Sequence, residues 1–286
     1  MKIKTKQSKT DFQTEKLPHT RTQVFWDVLK INWRTFFVLA FVLFAGFVPM
    51  LLCLFFRDNY ALGLSVRMSR GEISKEAALS LYKYAHLICA GACWVSFYFL
   101  AVAICFATRF IRQMIWYEPI FAKEDLAKAL KNGYGSAAIC ATFAGIILVV
   151  SKLMLFISDN AIVQIIPVAI FIPFIAMPLL LAFVQSTIYV GKFSQLLKNG
   201  IAIYIKEALR VLLFGLLLLL PILFVLIDSN IMAKYIALSA YLLIFENLFI
   251  LMFYLVCNHI FDKYINREQF PQIYKKGLYI EPESNK

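Results

Sequence analysis

Six stretches of about 20 residues that lack a central Lys, Arg or Asp constrain this 286-residue chain more than any other feature. They fall at about 36–56, 85–108, 137–157, 162–188, 211–227 and 235–258. A helix rising about 1.5 Å per residue crosses a hydrocarbon core of roughly 30 Å in about 20 residues. Inside that core the backbone must satisfy its own hydrogen bonds, which leaves helices as the spanning element for segments of this length and composition. With 61% hydrophobic and 16% charged residues, the composition lies far from that of soluble domains. The expected fold is all-α: a polytopic helical membrane protein with six transmembrane helices.

A net charge of +12 would, in a soluble chain, invite a nucleic-acid partner. The placement of the basic residues argues against one. Of 29 Lys and Arg, 22 lie in the segments 1–35, 109–136, 189–210 and 259–286, all on one side of a six-span chain. By the positive-inside rule that side is cytoplasmic, with both termini on it, in a cell membrane. Anionic lipid then accounts for the charge, and membrane lipids are the expected partners. The polar, Lys-rich start precedes the first span by too much for a secretory h-region, so that span is expected to stay attached. Residues 1–22 are expected to be a disordered basic tail, 23–260 one transmembrane domain and 261–286 a second tail.

The basic-side connections read as amphipathic elbow helices running into the next span. In 193–203, Phe193, Leu196, Leu197, Gly200 and Ile201 share one face; 123–133 and 24–35 follow the same plan. Leu130-Lys131-Asn132-Gly133 and Leu197-Lys198-Asn199-Gly200 match, with Leu29-Lys30-Ile31-Asn32 as a looser copy, so parallel internal repeats are expected. Lys131, Asn132, Lys198, Asn199, Lys30 and Arg34 are the expected lipid or partner contacts. Gly133, Ala137, Ala141 and Gly145, at steps of four, form a small-residue stripe for close helix packing. Pro167, Pro173 and Pro178 predict a kink in the fourth span.

Polar residues inside hydrocarbon are the natural place to seek chemistry. Glu246 lies near the middle of the sixth span, with Asn247 beside it and Gln164, Gln185 and Lys152 as possible partners for ion or proton coupling. The alternative is a buried carboxyl group held by Asn247, Gln164 or Gln185. The six cysteines all fall in apolar spans, where packing is the expected role. Gly133-Tyr134-Gly135-Ser136-Ala137-Ala138 has the letters of a dinucleotide loop but no preceding strand. No acid, base and nucleophile converge, so no enzyme activity, metal or other cofactor is expected.

From Ala107-Thr108-Arg109-Phe110-Ile111-Arg112 through Phe121 to Leu126-Ala127-Lys128-Ala129-Leu130-Lys131-Asn132-Gly133-Tyr134, the chain resembles the YesL-like family of small multi-pass bacterial membrane proteins. The likeness is a basic helix end, a short link and an elbow feeding the next span. Residues 57–84, a long segment on the far side, and the basic start depart from that pattern. The resemblance implies a bacterial inner-membrane protein associated with an ABC-type transport system for carbohydrates, and brings no catalytic residues. Two functions follow as expectations: a non-catalytic accessory or interaction partner of a transport or envelope system, or a small secondary transporter or channel using Glu246.

Overall fold

A computed structural model describes residues 17–158, 160–221 and 230–279. Every regular element among them is helical, and the protein is an all-α polytopic membrane protein. Helices α1 (Arg21–Ile31), α2 (Trp33–Ser69), α3 (Lys75–Ile115) and α4 (Ala122–Leu153) are followed by α5 (Ala161–Phe171) and α6 (Met177–Ile188). Then come α7 (Phe193–Leu217), α8 (Ile231–Tyr241) and α9 (Asn247–Phe261), with short turns from Asp262 to Ile273. Five of the helical runs are long and apolar enough to cross a membrane: Trp33–Ser69, Lys75–Ile115, Glu124–Phe156, Ile162–Ile188 and Ile231–Gln269. The remaining predicted span, 211–227, passes from the end of α7 into 222–229, outside the described residues.

Local chemistry sets the helix ends. Thr20 and Gln23 form a capping box on α1: Gln23 N donates to the Thr20 hydroxyl at 3.3 Å and Thr20 N donates to Gln23 Oε1 at 3.1 Å. Asn160 Oδ1 accepts from Ile162 N and Asn230 Oδ1 from Met232 N, each at 2.9 Å, starting α5 and α8. Gly71, at φ +70°, ends α2 in a Schellman turn, with Glu72 N donating to the Arg67 carbonyl at 3.0 Å. The stretch 57–84 is therefore largely helical. At 37 and 41 residues, α2 and α3 are about 55 and 60 Å long, nearly twice the hydrocarbon core, and continue past it as a hairpin.

The prolines of the fourth span act through a π turn, Ile172–Ala176, between α5 and α6. The three elbows enter their spans differently. α4 runs unbroken from Ala122, α1 and α2 are separated at Asn32, and α7 bends at Glu207, where φ is −126° and ψ is 27°. Gly133 and Gly200 nevertheless play matching parts, each backing onto the span before it. A β-carbon on Gly133 would meet Cys105 Sγ at 3.5 Å, and one on Gly200 the Pro178 carbonyl at 3.0 Å. Ala137 and Ala141 are buried on the same stripe, and the Trp94 indole lies directly on Gly145. All six cysteines are free thiols.

The main core joins α1, α2, α3, α4, α6, α7 and α9 around Leu39, Ile111, Met177, Leu181, Leu251 and Phe261. A smaller one packs α2 on α8 through Phe47, Leu51, Tyr235, Leu238 and Leu242. α2 packs tightly on α3 at Gly46, where an added β-carbon would lie 2.7 Å from Ala103 Cβ. Gly46→Val is expected to destabilise the bundle by about 1–3 kcal/mol through overpacking. Thermal unfolding in detergent checks this, with Gly63→Ala as the control, because nothing lies within 4 Å of Gly63.

Candidate functional site

Polar side chains gather at the two ends of the bundle. At the end that carries residues 17–21 and 270–279, Asp262 is the hub. It sits in a π turn, Asp262–Asn266, that closes the last long helix and turns its carboxylate inward. Arg21 donates to Asp262 Oδ2 at 2.7 Å; Asn266 Nδ2 and Lys275 N donate to Oδ1 at 2.8 and 3.1 Å. Tyr189 donates to Asn266 Oδ1 at 2.6 Å, and Arg21 also reaches the Lys276 carbonyl at 3.1 Å. Such charge-assisted bonds are the stronger kind, and removing one partner leaves a buried charge unpaired.

The layer continues along α3. Lys276 donates to Glu118 Oε1 at 2.5 Å and lies 4.6 Å from the centre of the Trp116 ring. Arg112 is also near that ring, at 5.1 Å, is 3.8 Å from Glu118, and donates to the Thr187 carbonyl. Tyr117 donates to Asp27 Oδ2 at 3.3 Å, and burial, with Asp27 beside it, pushes its hydroxyl above the usual tyrosine range. Arg109 pairs with Asp125 at 3.1 Å, while Asp125 accepts from Phe121 N at 2.8 Å. Tyr279 N donates to the Pro18 carbonyl at 3.0 Å. The boundaries expected for the tails therefore shift: residues 17–22 and 261–279 belong to the folded body, and 1–16 and 280–286 lie outside the described residues.

A second focus lies at the bend of α7. Glu207 Oε1 accepts from Lys263 at 2.8 Å and from Tyr264 OH at 3.0 Å, and Arg210 is 3.4 Å from its other oxygen. The Lys263 hydrogen bond, helped by Tyr264 and Arg210, holds the Glu207 carboxyl below the usual glutamate range. Beside it a cleft of about 130 Å³ is lined by Asn199, Ala202, Ile203, Lys206, Tyr264, Ile265 and Gln269. At the opposite end of the bundle, Asp58 accepts from Arg57 at 2.6 Å, from Tyr235 OH at 3.1 Å and from Lys234, tying α2 to the start of α8.

No hydrogen bond or ion pair joins any two of the side chains singled out for ion coupling. Glu246 is buried on a π turn, Leu242–Glu246, that packs on α2, and its Oε2 has no hydrogen-bond partner. Asn247 donates instead to the Phe36 carbonyl of α2 at 2.8 Å. Lys152 closes α4, which packs on α3, α5 and α6, and no ion pair joins it to Glu246. Gln164 is on α5, where its backbone carbonyl accepts from Ser151 at 2.7 Å. Gln185, wholly buried on α6 near Gly200, has neither amide atom paired. Lys30, Arg34, Lys131, Asn132, Lys198 and Asn199 are all exposed. Among the described residues no group of three His, Cys, Asp or Glu is placed to hold a metal ion.

No protein-family model matches the chain, and no match is found among curated proteins or solved structures.

Two outcomes are expected. Gly277 has φ +81° and lies against the Ile115 carbonyl, so Gly277→Ala should detach the last segment. Limited trypsin digestion should then cut at Lys275 and Lys276 faster than in the wild type. A depressed Glu207 pKa stabilises the fold above the ordinary glutamate range of about pH 4, and that contribution is lost as pH falls through the depressed value. The thermal midpoint should therefore drop more steeply on acidification in the wild type than in Glu207→Gln.

Proposed function

We propose that this protein is a non-catalytic integral membrane protein, an accessory or interaction partner of a transport or envelope system, with both termini cytoplasmic. The observation that carries the reading is the hairpin of α2 and α3 beyond the bilayer. Counted from the interfacial Trp33 and Arg34, the hydrocarbon core ends near Arg57. Past that level the hairpin leaves Leu62 54% exposed and Val66, Met68, Leu79 and Tyr84 uncovered. Apolar side chains that neither core nor lipid covers mark a surface for another protein. That no hydrogen bond or ion pair joins Glu246, Lys152, Gln164 and Gln185 supports the same reading. An ABC-type transport system or another membrane protein is the proposed partner, and no enzymatic chemistry is assigned.

A secondary transporter or channel is the second reading, favoured by one observation: Glu246 is buried on a π turn with an unpaired oxygen. Co-purification in mild detergent from the native membrane separates the two. On the first reading the wild type and Glu246→Gln recover the same membrane-protein partner, Leu62→Asp loses it, and all three unfold at similar temperatures. Recovery of the protein alone, with ion-dependent uptake into proteoliposomes that Glu246→Gln abolishes, would replace the first reading by the second.

A further inference from the structure

The cleft at the bend of α7 has features that the reading above does not use. Asn199, Ala202, Ile203 and Lys206 line it from one face of α7, and Tyr264, Ile265 and Gln269 from the end of the last helix. Its 130 Å³ is the space of about four waters, the scale of a single phosphate group. Two ammonium groups converge on one ring there, with Lys263 4.8 Å and Lys206 5.2 Å from the centre of Tyr264. Lys263 is neutralised by Glu207, whereas Lys206 has no carboxylate partner among the described residues. Arg210 pairs with the other oxygen of the same carboxylate, so Glu207 is shared by Lys263 and Arg210 while the Lys206 charge is left over at the bend. Asn199 and Gln269 supply amide donors, and no acidic side chain lines the cleft.

The surroundings point to lipid as the carrier of the anion. The bend at Glu207 divides α7 into an elbow and the start of a span, which puts the cleft at the depth of the headgroups. On the flanking face of α7, Ile201, Ile205 and Leu209 are exposed at steps of four, an apolar track beside a polar cleft. Basic pockets between helices at the membrane surface suit lipid phosphates. We infer that this cleft binds the phosphodiester of an anionic membrane phospholipid, with Lys206, Asn199 and Gln269 as its ligands and the acyl chains along Ile201, Ile205 and Leu209. The site goes beyond the accessory reading, because it needs no protein partner.

Native mass spectrometry of the purified full chain, titrated with phosphatidylglycerol or phosphatidylcholine, tests it. Phosphatidylglycerol should be retained in preference to phosphatidylcholine. Lys206→Gln should weaken that retention about fivefold, the typical contribution of one lysine at a membrane surface. Lys206 is exposed, so its replacement leaves the core untouched. Ala202→Phe, which fills the cleft, should act likewise, and Lys128→Gln, on another elbow, should not. Equal retention of both lipids, or an equal loss in Lys128→Gln, would overturn the site. Displacement of the lipid by millimolar inorganic phosphate, with the same dependence on Lys206, would reassign the cleft to a soluble phosphate and overturn the lipid assignment.

Discussion

Hydrocarbon offers no partner to an N–H, a C=O or a charge, and the architecture of this protein follows from that. Backbone groups are satisfied inside helices, and charged side chains are driven to the two ends of the bundle. There they do structural work that loops would do in a soluble protein. Asp262 joins α1, the last helix and the closing segment; Asp58 joins α2 and α8 at the other end. Both carboxylates are nearly enclosed, so each needs its several donors at once.

Between these ends, attraction between helices rests on close contact, because lipid tails are as apolar as leucine. The contacts are made where a side chain is missing. Gly46 admits Ala103, Gly145 lies under Trp94, and Gly200 rests on the Pro178 carbonyl. Two of the π turns, Ile172–Ala176 and Leu242–Glu246, interrupt the helices within this apolar layer. The second carries Glu246 against α2, and Asn247 beside it bonds the Phe36 backbone rather than its neighbour. A carboxyl group at mid-span invites an ion-coupling reading from the sequence.

Five of the spans and the small-residue stripe were legible because each depends on residues near one another in the chain. An apolar run of 20 residues and small residues at steps of four carry their meaning locally. The elbow bend at Glu207 was not legible, since the partners that secure it, Lys263 and Tyr264, are more than 50 positions away. The same holds for the closing segment. Read along the sequence, 261–286 is a short polar tail; folded, Lys276 meets Glu118 and Tyr279 meets Pro18.

The sequence by itself determined that this is an all-α membrane protein, roughly where its apolar spans lie and which residues are too polar for lipid. It did so because solvation in a bilayer depends on composition and length alone. Tertiary structure decided which charges pair, which buried amides remain unpaired, that the hairpin of α2 and α3 is left uncovered, and that Lys206 and Tyr264 share a cleft. Those outcomes depend on distances across helices remote in sequence, and distance is the quantity that a linear pattern of polar and apolar residues does not carry.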